Sequence, residues 1–310
     1  MRFLIDGRQL VFRCASAQPE LSATVNGVEY PTGGVYGFFV TLTRLVDEWR
    51  PGEVIVCWDS RGPRRRREWF AEYKADHEPK DEIEVEHLEQ IETQENVVRL
   101  LLQRAGAAQA IAEGWEADDV LATLARGADR AMIYTADSDL LAALSPTVKV
   151  LRPIQGREHV ETVHTFTSAR GFAPDRLPLL KALVGDAREF PGVPGIGVTW
   201  GSRIVRQHAT LDEVLAAARA GKVGGPDLDG KVHLGKVAAD RLVAGEDIAR
   251  ACLKCATLYD VTEDLVWITP RPDKRRLRRH LIRLRCKGIT RARPLAALEG
   301  LARKRPGEAA

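Results

Sequence analysis

Carboxylates recur along this chain where short apolar, β-branched runs end: Asp6 follows Phe3–Ile5, Asp59 follows Val54–Trp58, and Asp137 and Asp139 follow Met132–Thr135. Glu116, Asp118 and Asp119 stand at a predicted helix start, with Glu116 and Asp119 three apart and so on one helix face. Asp186 closes the turn Val184–Gly185–Asp186. Any one of these would serve as an ordinary turn or helix cap. Gathered in one place they would repel one another strongly, and would have to take up protons or bind cations. Hard oxygens in such number, without a His or Cys cluster beside them, favour Mg²⁺ or Mn²⁺ over Zn²⁺. Two such ions roughly 4 Å apart would activate water and stabilise the leaving oxygen of a phosphodiester. The chemistry indicated is metal-assisted phosphoryl transfer.

Only certain elements bring such residues together. In an open parallel α/β sheet the ligand crevice lies outside the carboxyl edge of the strands, which is where these acids fall in the sequence. The apolar runs predict strands at Arg2–Ile5, Val54–Trp58, Ala107–Ile111, Ala131–Thr135 and Val148–Leu151. Helical periodicity between them predicts helices at Val35–Trp49, Val85–Arg104, Ala117–Arg126 and Ser138–Leu144. The alternation gives an α/β class with a largely parallel sheet. From about Pro174 to Leu258 the pattern is helical throughout, broken by a Gly/Pro cluster at Gly192–Gly197. The stretch from Arg61 to Glu95 is a long, charged and aromatic crossover, of the kind that often carries function.

A chain of 310 residues is long enough for one large domain with an extension, or for two smaller ones. The five cysteines are odd in number and irregularly spaced, and no apolar leader precedes the first strand, so an intracellular, cytoplasmic and reduced protein is expected. No apolar run approaches the roughly 20 residues needed to cross a bilayer, which argues against a membrane role. Cys252–Leu253–Lys254–Cys255 has no second pair to complete a zinc site and reads as packing within a helix. The net charge of +3 conceals segregation: Arg64–Arg67 is basic, Asp81–Glu95 acid-rich, and Arg271–Arg293 basic.

With these residues in hand, the sequence resembles the 5′ nuclease (flap endonuclease) family, in particular the amino-terminal nuclease domain of bacterial DNA polymerase I and the stand-alone phage 5′–3′ exonucleases. The matching stretches run from Asp6 to Arg13 and from Val35 to Phe38, then Trp58–Asp59 leading to Glu68 and Tyr73–Lys74–Ala75. They continue through Gly114–Ala122, Tyr134–Leu140 and Gly192–Gly197, in family order, and span Met1 to about Asp260. The resemblance implies a PIN-like core over 1–173 with a helical arch at about 61–95, a helix-hairpin-helix region over 174–260, and a basic extension over 261–310. It implies that Asp6, Asp59, Glu116, Asp118, Asp119, Asp137, Asp139 and Asp186 bind the metal ions, and that Lys74 and Arg66 assist at the scissile phosphate. It further implies a structure-specific 5′ nuclease, exonuclease or flap endonuclease, that leaves 5′-phosphates. One departure stands out: the family commonly continues Gly–Asp–x–Ser–Asp–Asn, whereas this chain reads Gly185–Asp186–Ala187–Arg188–Glu189–Phe190, one residue shorter and without the second Asp. Either Glu189 substitutes for it or Arg188 weakens the second metal site.

Gly192–Val193–Pro194–Gly195–Ile196–Gly197 looks like the hairpin of a helix-hairpin-helix, whose backbone N–H groups approach a phosphate, often with K⁺ in this family. Arg67 and Tyr73, with the rest of the run Arg64–Arg67, Trp69 and Phe70, suit a threaded single strand, and Arg13 is a further DNA-binding candidate. Basic residues from Lys274 to Lys287 alternate with Leu277, Leu281, Ile282 and Leu284, so a helix there would seat its leucines inward and extend a duplex track. The expected partners are DNA with 5′ flaps, nicks or free 5′ ends, and a separate DNA polymerase, with the chain itself a monomer. Two rival readings remain: a DNA-structure-binding protein that has lost cleavage through the missing Asp, and a haloacid-dehalogenase-like phosphatase built on Asp137–Ser138–Asp139. The second is weakened because that motif belongs after a first strand.

Overall fold

The computed structural model describes residues 1–60, 64–75, 79–186, 189–221, 223, 236–286, 288–290, 296–298 and 300. Arg188, Lys287, most of the glycine-rich stretch Gly221–Gly230 and the tail after Arg303 lie outside the described residues.

Strand β1 (Arg2–Asp6) runs straight into helix α1 (Gly7–Ala17), with Asp6 as its N-cap. The turn is this tight because residue 7 is glycine: a Cβ there would lie 2.5 Å from the buried ring of Trp58. A two-stranded hairpin follows, β2 (Ser22–Val25) with β3 (Val28–Pro31), then α2 (Gly33–Trp49) and β4 (Glu53–Cys57). The crossover holds a short α3 (Arg64–Trp69) and a long α4 (Glu82–Ala105). The first two turns of α4 are exposed, while the rest of it buries Ile91, Val98, Leu101 and Leu102.

Next come β5 (Ala108–Ala112), α5 (Ala117–Arg126), β6 (Ala131–Tyr134), a 3₁₀ stretch at Asp139–Ala143, and the hairpin β7 (Val148–Ile154) with β8 (Arg157–Glu161). The carboxyl-terminal half carries α6 (Val163–Arg170), α7 (Leu177–Val184), α8 (Val198–Gln207), α9 (Leu211–Arg219), α10 (Lys236–Ala244) and α11 (Glu246–Ala256). It then returns as β9 (Leu265–Ile268) and ends in α12 (Lys274–Arg283).

The main sheet has the order β8-β7-β6-β1-β4-β5-β9. Its centre is parallel, β1 pairing with both β4 and β6, and its two edges are antiparallel. Side-chain alternation divides the core into two layers: Phe3 and Ile5 face α1, α2 and α4, while Leu4, Ile55 and Ile133 face α5 and the later helices. Strand β9 lies beyond the helical pattern expected from Pro174 to Leu258, in the segment expected as a basic extension, and it pairs antiparallel with β5, Ala110 opposite Trp267. The basic segment beyond it seats Leu277 and Leu281 fully inside the first layer, while Arg275, Arg276, Arg278 and Arg279 face solvent. Among the described residues, no helix is long and apolar enough to cross a membrane, and all five cysteines are buried free thiols.

Candidate active site

Three neighbouring strands, β4, β1 and β6, point their carboxyl ends at one crevice, and α5 begins beside it. Asp6 ends β1, nearly buried, accepting a hydrogen bond from the Gln9 amide at 3.1 Å and another from the Thr135 hydroxyl at 3.0 Å. Burial foremost, and then the Asp59 carboxylate, push its pKa up to about 7, against the pull of those two hydrogen bonds. Asp59 accepts from the Ala117 amide at 2.8 Å, which ties the end of β4 to the first turn of α5. Its pKa is raised by burial, and further by Glu116, with Lys74 and Arg8 opposing. Asp118 is pushed well above the carboxylate range by burial, then by Asp137, Asp6 and Glu116. Side chains that raise one another's pKa in this way share one poorly solvated space, where only a cation or a proton offsets their charge.

Asp137 and Asp139 follow β6, and Asp139 donates its amide to the Asp137 carboxylate at 2.9 Å. Asp139 is pushed up to about 6 by burial and by Asp137, while Lys181 opposes. Oxygens of Asp139, Asp186 and Glu189 lie within 4.8 Å of one another, a grouping that could hold a metal ion. Glu189 thus stands beside Asp186 and Asp139, so the shorter motif is not short of carboxylates. The loop places it there because Gly185 and Gly192 both take left-handed φ, 87° and 69°, and approach so closely that a Cβ on Gly192 would meet the Gly185 amide at 2.2 Å. Asp186 and Phe190 close the turn by a backbone bridge.

Lys74 links the halves of the crevice. Its ammonium bonds Glu116 at 2.5 Å and Glu189 at 3.1 Å, and its own amide donates to the Glu189 carbonyl at 3.3 Å. Burial disfavours the charge on Lys74, but Glu116, Tyr73 and Glu189 more than offset this, so its pKa is raised. In return Glu116, though buried, is lowered because Lys74 and Arg66 outweigh its desolvation. Lys74 adopts φ 56°, a strained conformation for a residue with a side chain, of the kind found where surrounding contacts over-determine the backbone.

Several expected site residues take other positions. Arg66 and Asp119 form a buried fork with contacts of 2.6 and 3.0 Å, and the guanidinium also bonds the Cys255 and Thr257 carbonyls. The second Asp119 oxygen accepts the Tyr259 amide at 3.0 Å. With Arg66 3% exposed and Asp119 at 0%, this pair clamps α3 to α5 and α11, and Arg66 reaches the crevice through its 3.0 Å ion pair with Glu116. Tyr73 is 2% exposed and stacked on Phe190, so it offers no face to a DNA base. Its hydroxyl donates instead to Glu116 at 3.0 Å and Glu189 at 3.3 Å. Val193 and Ile196 bury their side chains and donate their amides within the protein, to the Leu183 and Val193 carbonyls, whereas Gly197 caps α8 with open space around it. Gly195 carries its carbonyl against Arg241. Arg13 packs over the Tyr134 ring and donates to its hydroxyl at 2.8 Å, and Arg67 lies near the Tyr73 carbonyl.

Sequence reasoning passed over Thr135, which holds Asp6, and Lys181, which bonds Asp139 and, at 2.9 Å, Asp186. A lysine in the last turn of a helix is ordinary against the helix dipole, so its type and place carry no signal of a site. The Arg66 fork gives an expected result. Arg66→Met strands a buried Asp119 charge and should cost about 3–5 kcal/mol of stability, whereas Arg66→Met with Asp119→Leu should recover much of it. Chemical denaturation of the single and double variants checks this, and equal losses in both would remove the clamp.

Residues 1–170 match a family described as 5′-3′ exonuclease, N-terminal resolvase-like domain. A 5′-3′ exonuclease of Bacillus subtilis is 34% identical over 221 residues, 68% of this chain and 72% of that protein. A T5 5′-exonuclease solved with zinc ions has the same fold, with a TM-score of 0.66 at 18% identity over 97% of this chain and 98% of that one. A bacteriophage T5 flap endonuclease, in a pseudo-enzyme-product complex with DNA and metal ions, has a TM-score of 0.64 at 18% identity, over 96% and 99% of the two chains.

Proposed function

Because the chain belongs to the 5′-3′ exonuclease family, we propose that it is a structure-specific 5′ nuclease, hydrolysing DNA phosphodiesters near free or branched 5′ ends and leaving 5′-phosphates. The observation that carries this reading is the crevice of mutually repelling carboxylates, Asp6, Asp59, Asp118 and Asp139, each raised above its ordinary pKa. Such a set fits divalent cations, because a group of carboxylates this poorly solvated is ionised only when positive charge is supplied. Oxygen ligands alone favour Mg²⁺ or Mn²⁺.

Asp6, Asp59, Glu116, Asp118, Asp137, Asp139, Asp186 and Glu189 would hold the ions, directly or through water. When bound, the ions supply Lewis acidity at the phosphoryl oxygens and raise the acidity of a nearby water. Lys74 presents a permanent positive charge to the phosphate as negative charge builds on its oxygens. Tyr73, with its phenol kept neutral by burial, fixes Glu116 and Glu189 in place. Thr135 does the same for Asp6. The backbone at Gly192–Gly197 would approach the duplex, with K⁺ as the ion for that hairpin, and the solvent-facing arginines of α12 would extend the track. We assign the protein a monomeric state and a separate DNA polymerase as working partner.

Cleavage of end-labelled 5′-flap and nicked duplexes tests the reading. Rapid product with Mg²⁺ or Mn²⁺, and none in EDTA, is expected. Full turnover in EDTA, or binding of the flap without cleavage in either metal, overturns it.

A further inference from the structure

The carboxylate crevice has two unequal halves. Around Asp6 and Asp59 the direct hydrogen-bond donors are a hydroxyl and backbone amides. The other half holds its own cation: the Lys181 ammonium bonds Asp139 and, at 2.9 Å, Asp186, two of the three carboxylates whose oxygens cluster within 4.8 Å. We infer that Lys181 is an internal counter-ion that occupies the Asp139–Asp186–Glu189 site in the metal-free protein and leaves it when a divalent cation enters, so that this site binds the ion second and more weakly. The inference rests on the nuclease reading for the identity of the site.

Three features carry it. Oxygens that face an ammonium cannot at the same time turn their lone pairs to a divalent ion, and two cations held by the same oxygens repel each other. Helix α7 is fixed by buried Leu179, Ala182 and Leu183, so the exchange is confined to the flexible four-carbon stem of Lys181. The stem also has somewhere to go, since the Lys181 side chain is 14% exposed and that of Asp186 30%. Glu189 keeps Lys74 on its far side throughout, so the site retains one fixed positive neighbour in either state.

The lysine then has two opposed effects. Without metal it offsets the charge of Asp139 and Asp186. With metal present it is a competitor. A residue that merely held the two aspartates in position would act in the other direction, since its removal would disorder the ligands and weaken ion binding.

Mn²⁺ binding to the whole chain without DNA, followed by the electron paramagnetic resonance of the free ion, separates the two. The wild type should show a tighter and a weaker class of site. Lys181→Met should strengthen the weaker class at least about tenfold and leave the tighter unchanged. An unchanged or weakened second class overturns the inference, as does the absence of Mn²⁺ binding. If the variant does not fold, mass-spectrometric acetylation of the unmodified protein decides. Lys181 should react at least about fivefold faster once Mn²⁺ saturates the chain, because a released amine is exposed, and equal reactivity overturns the inference. Ion-dependent release of Lys181 in a protein that fails to cut DNA would count against the nuclease reading and leave this one standing.

Discussion

Asp6→Asn is expected to lower turnover on a 5′-flap substrate by at least about a thousandfold and, in the same protein freed of metal, to raise the melting temperature by several degrees. The two effects have one origin. Asp6 is nearly buried, and its pKa stands at about 7 because burial and the Asp59 charge oppose its ionisation. Asparagine keeps an oxygen for the Gln9 amide and turns an NH2 donor to the Thr135 hydroxyl oxygen, so the local structure survives while the charge that would bind an ion is lost. The sign with pH follows from linkage. The folded pKa lies above the unfolded carboxylate value, so between about 4 and 7 the unfolded state holds fewer protons than the folded one, and stability falls as pH rises through that window. The metal-free wild type should therefore melt higher at pH 5 than at pH 8, Mg²⁺ should restore the loss at pH 8, and Asp6→Asn should flatten the slope. Calorimetry with and without EDTA measures all three. A variant that melts lower than the wild type at pH 8 without metal, or that turns over normally, would remove Asp6 from the ion-binding set.

The parallel centre of the sheet was legible because its strands are buried on both faces and read as continuous apolar runs, as in Phe3–Ile5 and Val54–Cys57. Legible strands made the crevice legible, since Asp6, Asp59 and Asp137 simply follow them. Strand β9 was hidden by its brevity: four residues, with Val266 and Trp267 exposed, carry no periodicity, and its pairing with β5 is a tertiary fact. The hairpin of β2 and β3 was missed for a similar reason, its second strand being largely exposed.

At the site, residue type identified the acids but not their partners. Arg66, Asp119, Tyr73 and Lys74 all had plausible roles at the phosphate or the metal. What separates them is which side chains the short α3 and the turn after it direct inward. Arg66 falls opposite Asp119, Glu116 and the carbonyls of Cys255 and Thr257 at the end of α11, and its donors are taken up there. Glu189 could be placed only once the backbone of the shortened loop was known, because one residue fewer between Gly185 and Pro191 changes which side chain the turn presents.

Lys74→Ala is expected to reduce the single-turnover cleavage rate by about a hundredfold to a thousandfold, with DNA affinity changed less than about threefold. The Lys74 ammonium is 3.1 Å from Glu189 and 2.5 Å from Glu116, at the boundary between the two halves of the crevice. Both carboxylates, with the Tyr73 phenol, hold its pKa high, so it remains charged across the working pH and the rate should show no ionisation belonging to it. Alanine pays the same left-handed backbone cost as lysine at φ 56°, so the substitution removes the charge without altering the strain of the turn. A charge that stabilises only the oxygens on which negative charge develops is missed in the rate and not in the binding. Lys74→Arg should recover part of the rate, because the charge returns but the planar fork does not fit the point contact between two carboxylates. The contrast with Arg66 is the sharper test: loss of Lys74 should lower stability less than loss of Arg66, because Glu116 keeps its Arg66 partner and Lys74 is the more exposed of the two cations, while the rate collapses. Matching losses of stability in the two variants, or a near-normal rate in Lys74→Ala at saturating protein, would mean that Lys74 too is only part of the scaffold.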